Sequence, residues 1–130
     1  MTMEIFSAKN YLVLKATIQK TGRLGFSAAT SNVMGISTSS YFLIGKDEAI
    51  DADLIMVLLN RPSKDAFRVM QSGPYYYLKT TALFDMLRYD YKSARIFFDV
   101  KRDSSYDKIS GGETYLLKQR KSKGRKPRKG

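Results

Sequence analysis

The densest chemistry in this 130-residue sequence is carried by cations near its end. Residues 118–130, KQRKSKGRKPRKG, hold eight lysines and arginines and no acid. Such a run is matched to phosphate, because every cation that meets a phosphate releases condensed counterions. With Lys118, Arg120, Lys121, Lys123, Arg125, Lys126, Arg128 and Lys129 all on DNA phosphates, the slope of log K against log salt reaches about −7. Fully extended, the run spans about 43 Å, enough to follow a nucleic-acid backbone past the body of a domain. It confers affinity with little sequence discrimination. A merely solubilising terminus is the bland alternative. An anionic membrane surface matches less well, since no amphipathic helix or lipidation signal accompanies the charge.

Catalytic chemistry has little to stand on. The sequence contains no histidine and no cysteine, which removes the usual general base, the thiolate nucleophile and the soft metal ligands. Disulfides are excluded for the same reason. The acidic run KDEAIDAD at 46–53 superficially suggests a hard-cation loop. It lacks the turn glycine and the terminal bidentate glutamate that such a loop needs, and reads as a solvated connection between strands. A protein that is not an enzyme, with no cofactor and no bound metal, is the expectation.

A second candidate for chemistry is Tyr75-Tyr76-Tyr77, with Arg68, Lys79 and Arg88 close in sequence. Exposed aromatics stack unpaired bases, and Tyr76 is the candidate platform. In a strand, Tyr75 and Tyr77 share one face while Tyr76 takes the other. One of those faces fills a core on the alternative reading.

These groups need a scaffold, and the rest of the sequence specifies one. The net charge is +11, but without residues 118–130 the remainder carries only +3. Nearly all the excess therefore sits in a segment with no apolar side chain, which cannot bury enough surface to order itself and is expected to be disordered when free. The remainder, with 43% hydrophobic residues over the whole chain, suffices for one compact domain over 1–117. No apolar run approaches the roughly 18 residues of a membrane span. The first residues lack the marks of a signal peptide, so a cytoplasmic location is expected.

Residues 11–19, YLVLKATIQ, alternate with period two, as a half-buried strand does. Gly22 marks a turn, and residues 24–26 return as the second arm of a hairpin. Ser27 is placed to cap a short helix over 28–34, with Thr30, Val33 and Met34 inward and Gly35 at its left-handed end. Strands follow at 41–45 and 53–59. The order then restarts, with a strand at 66–70, a turn around Gly73 and a return strand at 75–77. A three-turn helix over 78–88 follows, with Leu78, Ala82, Leu83, Met86 and Leu87 on its inner side. Strands at 95–101 and from 113 complete the set. Met34, Met56, Met70 and Met86 are expected in the core. Each half thus reads strand, strand, short helix, strand, strand, and Gly22 and Gly73 lie 51 residues apart. Pseudo-repeats over about 10–60 and 65–117 account for the pattern.

The first repeat, GRLGFSAATSNVMGISTSSYFLI at 22–44, resembles the swapped-hairpin unit of the AbrB/MazE/SpoVT family of DNA-binding proteins. Gly22-Arg23 matches the opening, Leu24 and Phe26 the alternation, Met34-Gly35-Ile36 the leucine–glycine–isoleucine, and Phe42 and Ile44 the third strand. Ser27 stands where proline is usual, Ser31 and Asn32 where the family often has arginines, and Pro74 replaces the arginine in the second half. The resemblance implies two units interlocking their hairpins into one β-barrel. A single unit cannot close its sheet edges, so a tandem chain would form a monomeric pseudo-dimer, or a homodimer if an edge stays open. It also implies duplex DNA as ligand, contacted by Arg23, in transcription regulation or a nucleoid-type role; Lys20 and Lys15 of the same hairpin are further candidate contacts. Alternatives are an RNA or single-strand binder that uses a tyrosine face, and an assembly protein whose basic tail binds an acidic partner or a packaged genome.

Overall fold

The computed structural model describes residue 3 and residues 14–120. The first hairpin is β1 (Leu14–Ile18) and β2 (Leu24–Phe26), followed by α1 (Ala28–Met34), β3 (Tyr41–Gly45) and β4 (Leu54–Leu59). After a loop come β5 (Phe67–Arg68), β6 (Met70–Ser72), β7 (Tyr75–Leu78) and α2 (Thr81–Met86). β8 (Ile96–Arg102), a single 3-10 turn, α3 (Asp107–Ser110) and β9 (Glu113–Gln119) complete the chain. The protein is mainly β with short helices, as the alternation in its sequence leads one to expect.

All nine strands belong to one antiparallel sheet, ordered β5-β3-β4-β9-β8-β1-β2-β7-β6. The two edge strands, β5 and β6, are consecutive in the chain and separated only by Val69. The sheet therefore curls until the chain steps from one edge to the other, giving a nearly closed barrel. Val69 is buried at this seam, and its N–H donates to the Ser40 carbonyl at 3.0 Å. The single strand expected at 66–70 is corrected here. Its first part must pair with β3 and its continuation with β7, so the chain bends at Val69. Closure removes exposed edges, which otherwise template unwanted pairing.

The inward residues of the strands form one core with Met34 of α1 and Phe84 of α2. Phe26 and Phe42 stack with centroids 5.6 Å apart. Because β2 and β3 are not neighbours in the sheet, that contact crosses the barrel interior. Tyr89 bridges Phe84 and Phe98 edge-on, at 5.5 and 5.9 Å.

Local signals set the element ends. Ser27 accepts from the Thr30 N–H at 3.2 Å, and Gly35 ends α1 at φ 74°. α2 ends in the same way, since Tyr89 N–H reaches back to Phe84 O as Ile36 N–H reaches Ser31 O. At its left-handed position stands Arg88, at φ 65°, where α1 has glycine. The pairing pattern is also its own image. Exchanging β1 with the β5–β6 strand, β2 with β7, β3 with β8 and β4 with β9 leaves every pair of neighbours unchanged.

Several expected positions are corrected. α2 covers only 81–86, because Leu78 is a strand residue paired with Leu24 and Arg88 turns the chain away. Its fully buried residue is Phe84, and Leu83 and Leu87 pack against the core as expected, while Ala82 is exposed and Met86 is 66% exposed. In α1, Ser31 takes the inward position expected for Val33, which faces solvent. The basic tail begins later than residue 118, since β9 continues through Gln119, pairing Asp99 with Lys118 and Phe98 with Gln119. Residues 121–130, and residues 11–13 of the first expected strand, lie outside the described residues.

Candidate nucleic-acid interface

Outward side chains of β8, β1, β2 and β7 form one continuous face. Across it, Phe97 stands opposite Thr17, Thr17 opposite Gly25, and Gly25 opposite Tyr77. Lys15 lies one pleat along, opposite Asp99. Tyr75 folds its ring over Gly25. A Cβ at Gly25 would come 2.0 Å from the Tyr75 hydroxyl oxygen and 2.5 Å from the ring, so only glycine leaves room there. The ring is fixed at its far end, where Gln19 Nε2 donates to the Tyr75 oxygen at 2.7 Å.

The result is a shallow groove with Thr17 at its floor and the Tyr75 and Phe97 rings as walls. Lys15 and Arg120 line one end, Lys20 and Arg95 the other. From Lys15 to Ile18 the strand runs about 10 Å, and Lys20 stands in the turn beyond it. Arg23 belongs to the same turn as Lys20, and its guanidinium sits 4.7 Å from the centroid of the Tyr77 ring. That stacking orients the guanidinium while its charge stays at the surface. Asp99, the acid nearest Lys15 in the sheet register, is tied to Arg120. Phe97 is 43% exposed and is the one aromatic among the described residues left so open. The opposite wall differs: the outward Ile55, Val57 and Leu59 of β4 are all buried.

The residues expected to bind nucleic acid divide into three groups. Lys15, Lys20 and Arg23 are exposed and share this face. Lys118 and Arg120 are exposed but ion-paired, Lys118 with Asp51 and Arg120, at the end of the groove, with Asp99. Lys118 Nζ donates to both carboxylate oxygens of Asp51 at 2.8 Å. That bond holds the Asp51 carboxyl below its ordinary value and raises the Lys118 ammonium. Lys121, Lys123, Arg125, Lys126, Arg128 and Lys129 lie outside the described residues. The stacking candidate Tyr76 is corrected. It pairs with the buried Phe26 and packs against the core, because register puts Tyr75 and Tyr77 outward.

Three residues of the groove escaped sequence reasoning: Tyr75, Arg95 and Phe97. A signal for Phe97 was present. In RIFFDVK the alternation that buries Ile96, Phe98 and Val100 must turn Phe97 outward. The acidic run has structural work instead. Asp47 accepts from the Ala49 N–H and the Tyr106 hydroxyl, both at 2.9 Å, and Asp53 accepts from the Gln119 N–H at 2.6 Å. Among the described residues no group of three or more His, Cys, Asp or Glu is arranged to hold a metal, and no helix is long and apolar enough to cross a membrane.

Comparison with protein-family models, characterised proteins and solved structures gives no match to this chain.

Proposed function

We propose that this protein binds nucleic acid without catalysis, through the outer face of β8, β1, β2 and β7 together with the basic run 121–130. The carrying observation is the gathering of Lys15, Lys20, Arg23 and Arg95 around one aromatic-walled groove. Arg120, where the described chain ends, lines the same groove and bonds through its N–H to Phe97 O at 2.7 Å. On this reading the groove and the basic run 121–130 contribute to one polyanion. On this reading the two halves are a tandem pair of swapped-hairpin units in one cytoplasmic, monomeric pseudo-dimer. The self-image of the strand pairing and the common ending of α1 and α2 support that view.

The resemblance to AbrB-like proteins favours duplex DNA and a regulatory role. A second reading, an unpaired strand of DNA or RNA, is favoured by the open Phe97 ring. The test is a salt titration of binding to duplex DNA, single-stranded DNA and RNA, with the full chain and with residues 1–120. Four cations on the body imply a slope of log K against log salt of about −3 to −4 for the shortened chain, and the six removed add about −4 to −5. Loss of all binding on shortening would remove the body from the interface. A stable stoichiometric complex with an acidic protein, indifferent to nucleic acid, would favour an assembly role.

A further inference from the structure

We infer that the groove is a stacking site for unpaired bases, with Phe97 as platform and Tyr75 as second wall. This rests on the nucleic-acid reading above and goes beyond it in choosing the unpaired strand and in assigning the residues that hold its bases.

Three features of the face converge. Phe97 occupies the second position of a seven-residue strand, opposite Thr17, whose small side chain leaves the ring uncovered on that side. The other large hydrophobics exposed among residues 14–120, Val33, Met86 and Ile109, are aliphatic and lie on short helices. Tyr75 is then held in place by two independent constraints, the absent side chain of Gly25 beneath it and the Gln19 amide at its hydroxyl. A pre-set aromatic wall costs little ordering on binding. Finally, the cations stand at the two ends of the groove rather than along its floor. A strand laid across it would have its phosphates near Lys15 and Arg120 at one end and Lys20 and Arg95 at the other, with bases between the rings. A duplex keeps its bases stacked on each other and offers no free base face to Phe97. Stacking of this kind is indifferent to base identity, because every base has a π-face.

The test uses the full chain and four probes of equal phosphate count: an oligothymidylate, an oligouridylate, an abasic oligodeoxynucleotide and a duplex. Phe97→Ala and the triple variant Lys15→Gln/Lys20→Gln/Arg95→Gln are compared with the parent, each checked for retained fold by circular dichroism. Phe97 faces solvent, so its removal leaves the fold intact. The expected result is a loss of roughly 5- to 150-fold for the thymidylate and uridylate probes on Phe97→Ala, with abasic and duplex affinities unchanged. Equal loss for both base-bearing probes assigns the site to unpaired strands of either sugar. Loss for one alone assigns the sugar as well when an oligodeoxyuridylate, which differs from the uridylate only in its sugar, behaves like the thymidylate. If Phe97→Ala leaves the thymidylate and uridylate affinities unchanged while the triple variant weakens all probes, stacking is refuted and the basic face stands. If the triple variant also binds every probe like the parent, the interface reading itself fails.

Discussion

Replacing Thr80 by valine tests how the proposed binding face is anchored. Thr80 is fully buried, and its hydroxyl joins the second half of the chain to the first hairpin. Oγ1 accepts from the Leu24 N–H at 3.0 Å and donates to the Gly22 carbonyl at 2.9 Å. The neighbouring Thr81 hydroxyl donates to Thr21 O at 2.8 Å. These bonds hold the 19–23 turn, which carries Lys20 and Arg23. Valine keeps the shape of threonine but leaves a buried N–H unpaired, at about 1–3 kcal/mol, and removes the donor to a carbonyl, at about 1 kcal/mol more. The expected loss is therefore about 2–4 kcal/mol. For a domain of this size that lowers Tm by roughly 7–15 °C. Thr80→Ser keeps the hydroxyl and should stay within about 1 kcal/mol of the parent. Urea unfolding at constant m-value measures both. A Thr80→Val loss below about 0.5 kcal/mol, or a serine variant as weak as the valine one, would refute the anchoring role.

Gly25→Ala puts a Cβ where the Tyr75 ring lies, so the ring must swing out and the Gln19 bond breaks. The expected cost is about 1–2 kcal/mol, together with weaker binding of unpaired probes, read by denaturation and by titration. Arg88→Gly relieves a left-handed backbone that costs a side-chain-bearing residue about 1–2 kcal/mol. Allowing for glycine's larger entropy loss, a stabilisation of up to about 1 kcal/mol is expected by the same denaturation assay. Acid should also unfold the protein progressively. The Arg102 guanidinium, aided by the Thr114 N–H, holds Asp107 below its ordinary value, and the Ala49 N–H with the Tyr106 hydroxyl does so for Asp47. Carboxylates depressed in the folded state bind protons more readily when unfolded. Their stabilisation is complete above the unfolded value near pH 4 and drains away as pH falls through the lower folded values. Urea midpoints between pH 6 and pH 2.5 should follow that course, and Asp107→Asn should flatten it.

Features decided by local chemistry were legible in the sequence. Gly22, Gly35 and Gly73 take positive φ where turns or helix ends were expected, and β3 has the bounds its apolar run suggests. What escaped was decided by partners far away in the chain. Nothing local in AFRVM announces a bend at Val69; it arises because the two halves of that strand serve opposite edges of the sheet. Three consecutive tyrosines give no hydropathy contrast, so only the register of β7 on β2 settles that Tyr76 is inward. Lys118 and Arg120 look like tail residues until β9 brings them to Asp51 and Asp99, 67 and 21 residues away. For the same reason the groove was only half visible. Lys15, Lys20 and Arg23 are near one another in sequence, whereas Tyr75, Arg95 and Phe97 join them only when β7 pairs with β2 and β8 with β1.

The pairing pattern explains why the proposed binding face needs both halves. Taken alone, the first half would lose a neighbour from every strand: β8 from β1, β7 from β2, β5 from β3 and β9 from β4. Each would then present unpaired N–H and C=O groups, which favour association over a folded monomer. Fragments 1–63 and 64–130 should therefore each self-associate when expressed separately. When mixed, they should recover one heterodimer, because β1–β8, β2–β7, β3–β5 and β4–β9 supply one another's edges. The groove draws Lys15, Thr17 and Lys20 from one fragment and Tyr75, Arg95 and Phe97 from the other. The preference for an oligothymidylate over an abasic strand should therefore return only with the heterodimer, whereas fragment 64–130 alone keeps the undiscriminating affinity of its basic run. Size-exclusion chromatography with parallel binding measurements checks both points. A monomeric, folded 1–63 fragment would show that the interleaved pairing is not what holds the barrel together.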